Sequence, residues 1–453
     1  MLFTTAAAGK QHPAVYAAIG ILTLLPLYYL SWRYHTDHPW DGAATRWKRP
    51  PSQNFTADWL DTQVVQPFTP SAIGAYCNTS TWRPNLIFQL DDANGGVGNV
   101  RSNILDFLFF AIEAGGSVML PSYASRSDSD LSQVWGGRAP FELFFDEEWF
   151  MKAMGEACPQ MKVYKPSKDD PVGKTLPGRY APHTRRIDEG EQNGKKMYLE
   201  HLEAWLKEHP GYTTDSPIVV NLGRTLWDID TRSLPAAFRR NFGQVLRLNP
   251  SVRKLSALVV QNLVLKHTLL IDPRDVIPPH TFYGAHLRTE VDAQKAGWMN
   301  EPNTNSFAQT DAYISHALKH DLRTLYVASG NTTDLALFAA KAAAHAPPLT
   351  ITHKLDLLPP SALTILESLT WDQQALIDFE VLQRCSVFGG FVKSSFSFQI
   401  ALTRAQWGSD VGRVVEPWRV THEETGVAFD DGLTRVVGRD GWHEHRIPRG
   451  MWP

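Results

Sequence analysis

LIFQLDDANGGVGNVRSNILDFLFFAIEAGGSVML, residues 86–120, carries the pattern that decides the fold. Leu86–Leu90 is a short apolar run that ends in Asp91-Asp92, followed by Gly95-Gly96-Val97-Gly98-Asn99-Val100-Arg101. Behind this loop, Ile104, Leu105, Leu108, Phe109 and Ile112 recur at helical spacing from Ser102 to Ala114, and Gly115-Gly116 closes the run. Val118-Met119-Leu120 then stops at Pro121. Strand, glycine loop, helix and strand make one βαβ unit, which requires a parallel sheet.

The alternation continues outward. Met197–Lys207 has helical spacing and Ile218–Leu222 reads as a strand, with a polar excursion over Lys165–Lys196 between the two halves of this unit. After a long helix near Leu255–Leu270, strands are expected at Phe282–Leu287, Thr324–Ala328, Leu349–Thr352 and Ser386–Val392. Helices Asp311–Leu322, Thr333–His345, Asp372–Arg384 and Ser395–Trp407 follow them in turn. Repeated strand–helix alternation gives an α/β class with helices on both sheet faces. Two such series predict two Rossmann-like domains, 84–250 and 251–410, facing across a cleft that collects loops from the carboxyl ends of the strands. The tail 411–453 holds Asp431-Gly432 and Asp440-Gly441, both turn dipeptides, and reads as hairpins or loose wrapping.

The 453 residues are 43% hydrophobic and 20% charged, which excludes wholesale disorder and a polytopic membrane protein. A net charge of −3 gives no global attraction to nucleic acid. One segment departs from this average. After a short tail, 1–12, the run Pro13–Trp32 has no charged residue and is bracketed by Lys10 and Arg33. At 1.5 Å per residue it is about 30 Å long, one bilayer core, and it is expected to be a transmembrane signal anchor. A cleaved signal peptide and a buried helix are the alternatives. Residues 33–83, rich in Pro, Trp and polar groups, read as a stem.

Arg33, Arg46, Lys48 and Arg49 follow the span, and the positive-inside rule taken literally would keep the large C-terminal part cytoplasmic. Three N-x-[ST] sequons, at Asn54, Asn78 and Asn331, weigh the other way. Cys77, Cys158 and Cys385 cannot form a disulfide scaffold or a CxxC zinc site, while one pair plus a free thiol and three reduced thiols are both allowed.

Three motifs are suited to chemistry. Gly95, Gly96 and Gly98 lie between a strand and a helix start, where backbone N–H groups and the helix dipole attract phosphate. In Gly284-Ala285-His286-Leu287-Arg288-Thr289-Glu290-Val291-Asp292, His286 and Arg288 alternate out of an apolar strand. A guanidinium there pairs bidentately with phosphate oxygens, or with Glu290 or Asp292 as a structural ion pair. Ser394-Ser395-Phe396-Ser397 opens the last helix, where hydroxyls either cap the helix or bind phosphate. Asp228-Ile229-Asp230 has the letters of a metal motif but no suitable loop, so no metal is expected, and His443-Glu444-His445 lacks a third ligand.

The order of these motifs, a glycine loop, then HLRxExD, then Asp378 sixteen residues before SSFS, resembles the GDP-fucose protein O-fucosyltransferase family over about Leu86–Trp407. The resemblance implies two Rossmann domains of GT-B type, a membrane anchor or signal, and a lumenal active site in the Golgi or ER, type II and single-pass. It implies inverting, metal-independent transfer of fucose from GDP-fucose to a hydroxyl of a protein or glycan. Arg288 would bind the diphosphate and carry most of the catalysis, supported by Asp292. His286 would touch the ribose or diphosphate, Asp378 the guanine edge, and Ser394, Ser395, Phe396 and Ser397 the phosphates. Asn99 would face the fucose and the acceptor, Arg101 would assist with charge, and a Cys77–Cys158 pair would suit a lumenal compartment. Some family members carry a carboxylate where this chain has Gly96-Val97-Gly98, so Asp91, Asp92 or Glu290 would supply the base. The motifs specify a diphosphate better than a sugar. Another nucleotide-sugar donor, and an inactive membrane-anchored glycan-binding protein, are the competing readings.

Overall fold

The computed structural model describes residues 54–64, 67–90, 92–127, 130–166, 172–182, 194–209, 211–410, 427–438 and 450–453. The expected anchor 13–32, the first part of the stem, Asp91, Asp440-Gly441, His443–His445 and most of the polar excursion lie outside these residues. Among the described residues no helix is long and apolar enough to cross a membrane.

Two mostly parallel sheets form the frame. The first has five strands in the order Val163–Tyr164, Ser117–Met119, Leu86–Leu90, Ile218–Leu222 and Lys174–Thr175, all paired in parallel. Phe88 registers with Val118 on one side and Val220 on the other. Such strands are covered on both faces and therefore read as continuous apolar runs, as LIFQL and IVVNL do. The second sheet has six strands, Thr350–Thr352, Thr324–Ala328, Tyr283–His286, Val387–Phe391, Thr434–Val437 and Val427–Asp430, parallel except for the last pair. That pair is a hairpin in which Asp431 accepts from the Leu433 and Thr434 N–H groups, while Gly432 takes φ +83°. Part of the tail is thus built into the second sheet.

The helix after the glycine loop begins earlier than its apolar stripe, at Val97, and runs to Ala114. Its far end needs Gly115, whose φ is +67° and where a Cβ would stand 1.9 Å from the Thr81 carbonyl oxygen. This helix is buried on nearly every side, including at Ser102, Asn103 and Asp106, because it packs against both its own sheet and the helix Ser395–Asp410 of the other half.

The expected stem is corrected by the structure from residue 54 onward. Helices Phe55–Asp61 and Pro70–Cys77 pack into the core, with Trp59 and Ile73 buried. The Arg384 guanidinium stacks 3.6 Å from the Trp59 ring centroid and donates to the Trp59 carbonyl at 3.0 Å. Cys77 and Cys158 are joined as a disulfide, S–S 2.10 Å, which ties the second of these helices to Glu147–Ala157 and its C-cap. Polar composition concealed these elements, since two short helices carry too few apolar positions to show a period.

Candidate active site

The carboxyl ends of the two sheets meet at a cleft of about 1010 Å³. The loop Gly95–Asn99 and residues after Ile218–Leu222 line it from the first sheet, and His286, Arg288, Ala328, Lys354 and Ser394–Phe396 from the second. The starts of two long helices come together there. A Cβ on Gly98 would lie 2.7 Å from the carbonyl carbon of Ser395, so only glycine lets the helix Val97–Ala114 approach the start of Ser395–Asp410 this closely. Helix N-termini carry N–H groups without intrahelical partners and a partial positive charge. Two of them on one wall form a donor-rich surface suited to an anion.

Arg288 lies two residues beyond its strand. The Gln309 amide fixes the backbone there, accepting from the Arg288 N–H at 3.1 Å and donating to the Arg288 carbonyl at 3.2 Å, and Tyr313 donates to the His286 carbonyl at 2.9 Å. The guanidinium grips Asp292 bidentately, at 2.9 and 2.6 Å, and Glu290 at 2.5 Å, with the Trp298 ring 5.6 Å away. Burial pushes both carboxyls up, but the Arg288 charge and hydrogen bonds to each outweigh it and hold Glu290 and Asp292 below the ordinary carboxylate range. Glu290 also accepts the Gly330 N–H at 2.8 Å. It is therefore a poor proton acceptor, contrary to the role of base expected for it.

His286 stays neutral because burial pulls its imidazole down to about 4, against a smaller upward pull from the Glu290 charge. Its Nδ1 lies 2.8 Å from Ser397 Oγ, which accepts the Phe391 N–H at 2.9 Å. Ser397 is fully buried and its oxygen already accepts the Phe391 N–H, so we assign its own hydrogen to donation to Nδ1. That arrangement leaves the imidazole hydrogen on Nε2, where it is a donor. Phe396 packs on the same ring with centroids 4.5 Å apart.

Gly95, Gly96, Gly98, Asn99, His286, Arg288, Glu290, Asp292, Asp378, Ser394, Ser395 and Phe396 all line the cleft. Three expected site residues do not. Arg101 donates to the carbonyls of Gly243, Trp452 and Pro453 and is buried away from the cleft, so it holds chain segments together instead of a ligand. Asp92 accepts from Asn94 Nδ2 at 2.6 Å and faces Arg179 at 3.8 Å, outside the lining. Ser397 acts through His286. Asn331, one of the sequons, caps Thr332–Ala343, and its Nδ2 donates to the Thr289 carbonyl and the Asp334 carboxylate, so the nitrogen that would carry a glycan is occupied. Asn54 and Asn78 are exposed.

The sequence reading missed Arg126, which reaches from the first half to Asp292 at 3.2 Å and to Asp372 at 3.6 Å, with the Trp371 ring 5.4 Å away. It also missed Lys354, 2.5 Å from Asp378. Neither stands in a recognisable motif; Lys354 has the sequence signal of a place just after an expected strand, whereas Arg126 follows the strand Tyr123–Ser125, which the sequence pattern did not indicate. Arg126, Arg224, Arg288, Lys354 and Lys393 are matched in the lining by Asp228, Glu290, Asp292, Asp372 and Asp378. The cleft is thus formally balanced, and attraction for an anion rests on directed N–H groups, not on net charge. Among the described residues no group of three or more His, Cys, Asp or Glu is placed to hold a metal ion.

The family profile described as GDP-fucose protein O-fucosyltransferase matches residues 86–406. The chain belongs to that family and is a glycosyltransferase. No curated protein matches it. Among solved structures, POFUT1 in complex with GDP-fucose is similar at 13% identity and TM-score 0.42, over 74% of this chain and 96% of that one. POFUT1 in complex with GDP gives 13% identity and TM-score 0.41, over 74% and 97%. An arginine-to-lysine mutant of Arabidopsis thaliana FUT1 in complex with GDP gives 10% identity and TM-score 0.34, over 80% and 79%.

Proposed function

We propose that this glycosyltransferase transfers fucose from GDP-fucose to a hydroxyl of a protein or glycan, with inversion and without a metal. The observation that carries the reading is Arg288 held beside two converging helix starts in a cleft between parallel sheets. The acceptor hydroxyl oxygen attacks the anomeric carbon as the bond to the diphosphate breaks, the bonding electrons leave with GDP as added negative charge, and the hydroxyl proton passes to a departing phosphate oxygen or to water. Arg288, the His286 Nε2–H and the N–H groups at Gly96–Gly98 and Ser394–Ser395 supply donors for that charge. In a balanced cleft they are already oriented, and little reorganisation is needed as the charge develops.

The same reading places residues 13–32 in a Golgi or ER membrane as a single-pass anchor, with the catalytic part lumenal. The test is a thermal-shift and transfer panel on the full chain with GDP, GDP-fucose, GDP-mannose, UDP and UDP-sugars. Stabilisation by GDP compounds and release of GDP from GDP-fucose support the proposal. Response to uridine compounds alone moves the donor assignment, and a folded protein indifferent to all of them removes the enzymatic reading of this site.

A further inference from the structure

Arg288 by itself is an encumbered cation. Its guanidinium meets Glu290 at 2.5 Å and Asp292 at 2.9 and 2.6 Å, one positive charge against two carboxylates. These bonds use three of its five N–H groups. Both carboxyls are held below their ordinary range and are ionised, so the three groups together are anionic and repel a further negative charge. Arg126 changes that sum. It follows the strand Tyr123–Ser125 of the first half, its side chain is 9% exposed, and its Nη1 donates to Asp292 Oδ2 at 3.2 Å. Arg288 Nη2 holds the same oxygen. Asp292 thus bridges two guanidiniums, one from each half.

Arg126 is fixed in that place from several sides. Its Nη1 also donates to its own loop, at the Leu131 carbonyl, at 2.8 Å, and its guanidinium carbon lies 5.4 Å from the Trp371 ring centroid. Its Nε faces Asp372 at 3.6 Å, beyond hydrogen-bond reach. Asp372 stands in the first turn of the helix Trp371–Gln383, where the helix N-terminus shares its charge. The carboxylate that Arg126 meets by a direct hydrogen bond is therefore Asp292. On the other side, Nη2 stands 3.3 Å from where a Cβ on Gly96 would be, beside the helix start of the glycine loop.

We infer that Arg126 is a positioning residue for the transfer reaction: by offsetting the second carboxylate on Arg288 from the opposite half, it leaves the Arg288 charge available to the departing diphosphate. The inference deepens the proposed function and rests on its anionic leaving group. Arg126 acts through Asp292 and need not touch the donor. Negative charge on the diphosphate grows as the sugar bond breaks, so the offset matters more in the transition state than in the bound donor. Its loss therefore lowers kcat more than it raises donor KM. Without the Asp292 carboxylate, Arg126 has nothing to offset.

The experiment is a double-mutant cycle of Arg126→Met and Asp292→Asn on the full chain, with Arg126→Lys as the conservative control. GDP release from GDP-fucose and calorimetric affinity for GDP are measured on preparations checked for cooperative unfolding. With Asp292 present, Arg126→Met lowers kcat by roughly ten- to a hundredfold, the scale of one unit charge lost several ångströms away in a partly buried site. GDP, which carries the full charge of the leaving group, loses affinity by a similar factor, and Arg126→Lys retains most of both. In the Asp292→Asn background the same Met substitution changes kcat and GDP affinity by about threefold or less. Losses that add in the double variant overturn the inference, because Arg126 then acts on the ligand itself or elsewhere. A fall in thermal stability with kcat, KM and GDP affinity unchanged also overturns it and leaves Arg126 a structural tie between the halves. A wild type that neither binds GDP nor releases it from GDP-fucose overturns the proposed function and this inference with it, whereas additive losses in an active wild type overturn the inference alone.

Discussion

Gly98 touches Ser395 where no side chain fits: a Cβ on Gly98 would stand 2.7 Å from the Ser395 carbonyl carbon and 2.8 Å from its Oγ. One residue belongs to the helix after the first strand, the other to the helix after Val387–Phe391, so the contact joins the halves at the anion-facing wall. Within a helix, Ala is favoured over Gly by about 1 kcal/mol. Gly98→Ala therefore tests local and tertiary preference against each other. The clash is with backbone, which cannot rotate away, and the two helix starts must separate. GDP affinity is expected to fall by at least tenfold while the far-ultraviolet spectrum is kept. Unchanged affinity would show that the paired helix starts do not serve the nucleotide.

Arg288 sits at 11% side-chain exposure between two carboxylates. Arg288→Ala removes the partner of both and leaves buried charges uncompensated, a loss of about 3–5 kcal/mol for such a pair. It is expected to unfold the site along with abolishing binding, and is a poor probe of catalysis. Arg288→Lys keeps one charge but loses the bidentate grip on Asp292. Its unfolding free energy should drop less, by about 1–3 kcal/mol, with transfer activity reduced by two or more orders of magnitude. Urea denaturation and turnover on the same preparation separate the two effects. Activity near wild type in Arg288→Lys would move the leaving-group role elsewhere.

Which parts of this were legible in the sequence follows from range. LIFQL, IVVNL and TLYVA announce themselves because a strand buried on both faces must be apolar throughout. His286, Arg288 and Asp292 were legible as a cluster because they lie within seven consecutive residues. Arg126 was not, since its partners Asp292 and Asp372 are 166 residues and more away and only the fold brings them together. Arg101 misled for the opposite reason: its place in the glycine motif suggests a ligand, but helical geometry turns it toward Gly243 and Trp452. Ser397 looked equivalent to Ser394 and Ser395, yet two residues along the helix from Ser395 it is rotated by about 200°, faces inward to His286 and is lost to the cleft.

The His286–Ser397 pair has a spectroscopic consequence. With the imidazole at about 4, the ring is neutral over pH 5–8, and the assignment of Ser397 as donor to Nδ1 puts its proton on Nε2. Nitrogen-15 shifts of the labelled ring should show an unprotonated Nδ1 at pH 7. Ser397→Ala removes the donor and should produce a tautomer mixture, with donor KM raised severalfold and a smaller change in kcat. The sign for stability is fixed too. The folded pKa lies below the unfolded value of about 6.5, so the unfolded chain binds the extra proton between them. Stability falls as pH drops from about 6.5 toward 4, by about 1.4 kcal/mol per unit at most from this group. A protonated Nδ1 at pH 7 would refute the assignment.

Trp452 binds the halves from another direction. Its ring is fully buried against Phe109, Phe238 and Phe242, and its indole N–H donates to Asp106 at 2.8 Å. Its carbonyl accepts from Arg101 of the first half and from Gln399 of the helix Ser395–Asp410. Burial pushes the Asp106 carboxyl well up, and the indole partly offsets this. Trp452→Phe keeps most of the apolar contact but removes the indole hydrogen bond to the buried Asp106 carboxyl, which keeps those from the Trp227 and Asp228 backbone, at a cost of about 1 kcal/mol. Trp452→Ala adds a cavity and should cost about 3–5 kcal/mol. Because Trp452 does not line the cleft, nucleotide affinity in the folded fraction should stay within a few-fold of wild type for the Phe variant. A large affinity loss there, with unfolding free energy unchanged, would mean that this residue governs the cleft instead of the packing of the halves beneath it.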